Sequence, residues 1–533
     1  MRFFAIILTF ISTAALSQGG SLYSPFGVNG QCSIDIDDLD DLTVLLKDDF
    51  GNTYFCGSTS ENLIGTYPFD VCIGKLTPSG ELDLSFGNNG IFRSDFPNHT
   101  ISSLKGACLN ENGIYFIGNA VNENQLDSSD FFVGKINLDG QIDVNFANNG
   151  FFTSQLLGAY NTPGNVLIDS EERLVFCGST TEETTTYVEY PFIGRLTANG
   201  TLDTTFGTTG IVIWDYYEGN LVNGISVLNS QDRHGEGAYA NEIIEINNNY
   251  FIAGKFVGTA FEQLHIWSMT KEGELNPNFV SQGPYIYQLD PGYNHLPTNM
   301  VYDGQSIYLS IVTDGSFYNG KQLIQKIDTS GTLLDLHSFE HMNYDSQSLF
   351  LKNWNGELYV GGYSKESTNT TPGHHSDQFL LYALDTSFNI MSDFGQDGYF
   401  ESELSWGDEE LGAEDFIIHD GFGVIGGYHN NLIGNNITDF VFMGVNMDEN
   451  LENYNLDNST FQIFPNPASS LITIEHSAPI QSIEILSLDG RRIQFYEPNT
   501  SSFSIQFENL SPGGYYIVLK SQENTYSERL IKY

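Results

Sequence analysis

A five-residue phrase returns along this chain at a fixed spacing, and no other feature constrains the fold as tightly. Phe26-Gly27-Val28-Asn29-Gly30 recurs as Phe86-Gly87-Asn88-Asn89-Gly90, as Phe146-Ala147-Asn148-Asn149-Gly150 and as Phe206-Gly207-Thr208-Thr209-Gly210, each step being 60 residues. Weaker copies begin at Phe279 and Phe394, and Phe339 marks a degenerate one. A second phrase keeps the same spacing in Ile73-Gly74-Lys75, Val133-Gly134-Lys135 and Ile193-Gly194-Arg195. A third precedes it in Phe55-Cys56-Gly57, Phe116-Ile117-Gly118 and Phe176-Cys177-Gly178, with later echoes at Ile252, Val360 and Ile425. A period of this length belongs to repeat architectures rather than to a string of unrelated domains.

Within one period the pattern reads as four short strands: Leu42–Lys47, Thr53–Ser58, Phe69–Leu76 and Ile91–Ser94. Asp49-Phe50-Gly51-Asn52 and Ser79-Gly80 supply the turns, with glycine where a positive φ is cheap. No stretch sustains a helical period. Four-stranded units repeated about seven times predict a β-propeller. The last repeat ends near Val445 without its own Phe-Gly phrase, whereas Leu22–Cys32 precedes the first repeat as a spare. The expected fold is therefore all-β: a seven-bladed β-propeller closed by the N-terminal strand, over residues 18–447, plus a small C-terminal β-sandwich. Closure of this kind removes exposed sheet edges.

The repeats resemble the delta-60 repeat family of bacterial propellers over about residues 22–450. Leu82-Asp83-x-x-Phe86-Gly87-x-x-Gly90, echoed at Leu202–Gly210, carries the likeness, and the copy near Phe339 departs from it. The resemblance implies a fold and no activity.

The N-terminus reads as an export signal. Arg2 is followed by the apolar stretch Phe3–Leu16, too short to span a bilayer comfortably, and cleavage is expected between Ser17 and Gln18. No later apolar run is long enough to cross a membrane as a helix. There are 67 Asp and Glu against 20 Lys and Arg, a net charge of −47. That excludes ordinary nucleic-acid binding, which needs a basic footprint, and disfavours anionic membranes. With aromatics at 14% and charged residues at 16%, the chain is not a disordered acidic tail.

Residues 448–460 read as a polar linker, after which the pattern changes. Seven short strands follow in residues 461–533, with Asp489-Gly490 as a hairpin turn. This segment resembles the type A C-terminal sorting domain of the type IX secretion system. The matching residues are Pro465, Asn466 and Pro467 after Phe464, then Asp489 and Gly490, then Gly513, Gly514 and Tyr515, and Lys532 in the final Leu-Ile-Lys-Tyr. The resemblance implies the type IX secretion and sorting machinery as partner, and a secreted or surface-attached product.

Candidate chemistry is sparse. Of the five cysteines, Cys32, Cys56, Cys72, Cys108 and Cys177, Cys56 and Cys177 take the slot of Ile117 and Ala253 and Cys72 that of Phe132 and Phe192, so buried thiols are expected there, with Cys56–Cys72 the best disulfide pair. Asp35, Asp37, Asp38, Asp40 and Asp41 form the densest acidic run. Calcium uses such carboxylates, but the Gly and Glu of an EF-hand loop are missing, and a solvated loop is the preferred reading. His374-His375 with Asp377 lacks a third spaced ligand, so no metal or other cofactor is assigned. Asp83, Asp143 and Asp203 recur after turn glycines, which points to a structural role, since an active site needs asymmetry. Long loops follow the second and fourth strands of each repeat, and loops on a rigid scaffold commonly bind. Tyr187, Tyr190, Tyr216, Tyr217, Tyr293 and Trp406 lie there or nearby and suit stacking on a glycan or a surface protein. The preferred function is non-catalytic binding or adhesion, and the alternative is a polysaccharide-active hydrolase or lyase.

Overall fold

The computed structural model describes residues 19–61, 69–94, 101–121, 129–154, 156, 160–181, 188–215, 220–223, 237–257, 262–279, 285–287, 294–314, 322–339, 344–366, 378–402, 410–431, 437–447, 462–464, 471–487, 492–496, 498–506, 513–521 and 525–532. Every regular element among them is a β-strand. The chain divides into two compact units, one spanning Ser17–Asn450 and one containing Leu451–Tyr533.

The larger unit is propeller-like, built of four-stranded antiparallel sheets met in chain order. The first holds Leu39–Lys47, Thr53–Ser60, Asp70–Leu76 and Ile91–Ser94. The second runs from Ile101–Asn110 to Phe151–Thr153, and the third from Asn161–Ile168 to Ile211–Asp215, with Asn220–Asn223 added at its rim. The fourth starts at Glu242–Ile246, the fifth at Asn294–Tyr302 and the sixth at Tyr344–Trp354. The last begins at Glu410–Ile418. In each sheet the opening strand lies innermost and packs against the opening strand of the next sheet. That of the last sheet packs against Leu39–Lys47 of the first. Second strands such as Thr53–Ser60 and Leu174–Thr181 are buried at every position, because a sheet on either side covers both faces.

The last sheet takes its outermost strand from the N-terminus. Gln31–Ile34 pairs antiparallel with Phe440–Met443. Upstream of it, Gly20 and Tyr23 donate their N–H groups to the carbonyls of Asn446 and Gly444 at 2.7 and 2.8 Å. Tyr23 stacks on Phe422 with ring centroids 4.6 Å apart.

The recurring Phe-Gly phrase is a joint between neighbouring sheets. The N–H of Gly87 donates to the carbonyl of Asp139 in the next sheet at 2.8 Å. Ala147 to Asn199, Gly207 to Glu272 and Gly27 to Ser79 repeat the bond at 2.8, 2.8 and 2.6 Å, the last joining the N-terminal segment to the first sheet. Gly395 of the sixth sheet donates to Gly19 at 2.7 Å. The receiving turn carries a glycine for a reason visible at Gly140. Its φ is +77°, and a Cβ there would lie 2.6 Å from the N of Gly87. The fourth position of the phrase also needs the left-handed region, which Asn29, Asn89, Asn149 and Asp397 accept. In the third sheet Thr209 holds that place, and the positive φ of 69° moves to Thr208 instead.

The fifth sheet lacks the phrase, and its neighbour compensates. Tyr54, Tyr115 and Tyr359 each meet the phrase Phe of their own sheet edge-on, at 5.7, 5.8 and 5.6 Å. Tyr308, at the same place in the fifth sheet, instead meets Phe388 of the sixth sheet at 6.0 Å and 85°. Phe388 occupies the turn position that is glycine in other sheets, holds φ at 65°, and is buried. Lys326 Nζ donates to the Thr386 carbonyl at 2.7 Å, replacing the backbone joint with a side chain.

In the C-terminal unit, Gln462–Phe464, Leu471–Ile480 and Thr500–Gln506 form one sheet. Arg492–Tyr496, Ser482–Ser487, Gly513–Lys520 and Thr525–Lys532 form the other. Ile472, Ile474, Ile483, Ile485, Ile505, Ile517 and Leu530 fill the core.

Candidate functional site

Few of the residues singled out in the sequence lie where they can be described. Tyr187, Tyr216, Tyr217, Tyr293 and Trp406 are outside the described residues, as are Ser17, Gln18, His374, His375 and Asp377. Tyr190 is described, and it is a core residue: 1% exposed, packed with Phe131, Phe176 and Phe192, so its ring offers no face to a ligand. Pro465, Asn466, Pro467, Asp489 and Gly490 are outside the described residues too. Gly513 and Gly514 open the strand that pairs with Leu530–Lys532 at the chain's end, and Tyr515 and Lys532 are buried.

All five cysteines are free thiols. Cys56, Cys72 and Cys177 are buried. A Cys56–Cys72 disulfide is excluded by register: Cys56 faces Ile73 and Cys72 faces Gly57, so the two side chains leave opposite faces of the sheet. They sit in different core clusters.

The repeated acids are consumed in structure. Asp83, Asp143 and Asp203 pair with Lys75, Lys135 and Arg195 at 3.0, 2.8 and 2.8 Å. Lys75 and Lys135 also lie over the rings of Tyr54 and Tyr115. The Ser85 and Lys75 bonds hold the Asp83 carboxyl below its usual range, and the Lys135 bond does the same for Asp143. The conserved spacing of the basic phrase and the acidic phrase is thereby one feature, an ion pair repeated from sheet to sheet.

A charged cluster that sequence reasoning missed lines the innermost strands. Asp415 accepts the N–H of Leu45 in the first sheet at 2.9 Å and that of Phe416 at 2.8 Å. Lys352 of the sixth sheet pairs with it at 2.8 Å. One buried carboxylate thus ties three sheets. Beside it, burial pushes the Glu414 carboxyl up to about 8, with Asp41 and Asp415 adding to the rise. Burial lifts Glu242 to about 7, against the bond from Asn165 at 3.0 Å and the charge of Lys352. Surrounding protein also raises Asp41, although its side chain stays solvent-exposed, and Lys105 opposes the rise. Charged residues inside otherwise apolar opening strands, such as Lys105 in Ile101–Asn110, were the available signal. Glu242 and Glu414 are thus two separate carboxyls, each raised by burial toward neutral pH.

The acidic run divides three ways. Asp37 pairs with Arg93 at 2.8 Å, Asp41 joins the inner cluster, and Asp35 and Asp40 meet Asp439 of the last sheet. One oxygen from each of these three lies within 4.8 Å of the others. Asp40 is engaged by the Ile36 N–H and the Thr59 hydroxyl, at 2.9 and 2.6 Å. One oxygen from each would supply three of the six to eight that calcium takes.

Residues 462–533 match the family described as the secretion system C-terminal sorting domain. No curated protein matches the chain. Among solved structures, an ulvan lyase of polysaccharide lyase family PL25, bound to -[GlcA(1-4)Rha3S]-, is similar at a TM-score of 0.47 and 9% identity, over 78% of this chain and 96% of that one. The polysaccharide lyase Uly1 gives 0.42 and 7%, over 77% and 90%. PorZ, a surface component of the type-IX secretion system of Porphyromonas gingivalis, gives 0.28 and 10%, over 97% and 86%. At such values these likenesses say nothing about what this chain binds or cleaves.

Proposed function

We propose that this is a secreted or surface-attached protein of the type IX route whose body binds a ligand without catalysis. Residues 1–17 are a signal peptide removed after Ser17, residues 18–447 a seven-bladed propeller of the delta-60 kind closed by its N-terminal strand, residues 448–460 a linker, and 461–533 the sorting domain. The match of residues 462–533 to the sorting family carries the address. The pairing of Gln31–Ile34 with the last sheet and the packing of the last opening strand on the first support a closed ring. Binding rather than chemistry is favoured because the repeated acids are spent in ion pairs that hold the scaffold.

Mass spectrometry of the culture medium and of the cell-surface fraction tests the address. The body is expected in one or both without residues 461–533. A full-length chain retained in the periplasm of a secretion-competent cell overturns it.

A second reading, a polysaccharide-active hydrolase or lyase, draws on Glu242 and Glu414, whose raised carboxyls could serve as acid and base. A binder retains polysaccharide without turnover. An enzyme releases new reducing ends, and Glu414→Gln abolishes the release.

A further inference from the structure

The N-terminal segment and the sixth sheet enclose a cleft that none of the phrases above accounts for. Its volume is about 820 Å³, within the range of sites for small organic ligands. One wall is the N-terminal segment from Gly20 to Gln31, and the other is the outermost strand of the sixth sheet, Tyr399–Glu401, with its flanks. Met443 and Phe400 contribute to the lining, and both are buried, so they form an apolar floor.

The polar lining has an unusual chemistry for a chain this acidic. Four carboxamides, Asn29, Gln31, Gln378 and Gln396, contribute to it. Among the described residues no Lys, Arg or His does, and Glu401 is the single charged side chain of that part of the wall. A carboxamide presents a donor pair and an acceptor together, which matches a hydroxyl that donates and accepts at once. Anionic ligands are recognised by cations and forked guanidinium groups, which are missing among the described residues of this wall. The net charge of −47 repels polyanions further. An apolar floor beneath a ring of neutral donors and acceptors fits a molecule with one apolar face and a rim of hydroxyls.

We propose that this cleft binds a neutral oligosaccharide, with Gln378 and Gln396 from the sixth sheet and Gln31 from the N-terminal segment meeting its hydroxyls. The inference rests on the binding reading above and gives it a ligand class and a place. Gln31 lies on the very strand that completes the last sheet, so the site exists only when that strand is seated.

The test is calorimetric titration of the mature chain with maltohexaose, laminarihexaose and mannohexaose as neutral probes, and with a hexauronate as the anionic one. At least one neutral probe is expected to bind, and the hexauronate is not. Gln378→Ala with Gln396→Ala should weaken that binding about tenfold or more while leaving the thermal midpoint within a degree or two. Gln396→Ala alone, at an exposed turn position, keeps the test valid should the double variant fold poorly. Neutral binding that both variants leave unchanged overturns the cleft and spares the binding reading. Preference for the hexauronate overturns the ligand class. Failure of every probe, and of whole-cell and polysaccharide pull-down by the same chain, overturns both.

Discussion

The joint between the first and second sheets and the joint between the fifth and sixth solve one problem in opposite ways. In the first, the Gly87 N–H crosses to Asp139, Phe86 packs on Tyr54 of its own sheet, and Gly140 leaves room for both. In the second, the aromatic comes from the other side: Phe388 reaches back to Tyr308, and Lys326 supplies the hydrogen bond to the turn. The Tyr and the basic residue above it persist in both joints. The repeat therefore preserves a contact, an aromatic pair capped by a cation, more faithfully than the phrase that usually makes it. Phe388 holds a positive φ that bulky residues avoid, at a cost of about 1–2 kcal/mol, which its burial against Tyr308 and His337 offsets.

If that equivalence holds, Phe388→Gly is the most damaging of four changes. It restores the turn residue of the other sheets but empties the joint, and should cost about 3 kcal/mol in urea unfolding despite the relieved φ. A variant as stable as the parent would break the comparison. Gly140→Ala should cost about 2 kcal/mol, because it adds the close approach to Gly87 to the φ penalty. Gly356→Ala, with the same kind of φ and open space around it, should cost about 1 kcal/mol, and equal losses at the two glycines would show the joint to be slack. Lys326→Met, which keeps the stem, should cost about 1 kcal/mol if the side chain truly replaces the backbone bond.

The smallest effect is a pH dependence. The Asp143 carboxyl is held low by Lys135, so its stabilisation is complete above the ordinary carboxylate pKa and disappears as the pH falls through the lowered one. Asp143→Asn should lose under about 1 kcal/mol at neutral pH, and the gap to the parent should close in acid. A gap that widens in acid would reverse the sign and remove the ion pair from the account.

Much of this was legible because it is local. The strand Thr53–Ser60 and its turns follow from glycine placement and apolar runs read within one period. Phe388 was not legible, since a phenylalanine in a turn reads as an exception until Tyr308 is seen beneath it. Nor was Asp415, whose partner Leu45 lies 370 residues away, or the meeting of Asp35 and Asp40 with Asp439. Repetition identifies each sheet, but the side chains that converge between sheets are set by how the sheets pack on one another. The choice of Tyr190 as a binding residue failed for a related reason: an aromatic at a strand end is indistinguishable, in sequence, from one on a loop.

The segment around Gly19–Ile34 carries a consequence for the order of events in a cell. It leaves the ribosome well before its hydrogen-bonding partners, Phe440 to Asn446, are made. Until they arrive, the opening stretch has nowhere to dock, and the growing polypeptide keeps an unsatisfied rim at both extremities. Final fastening of this edge is thus postponed until those partners have been translated.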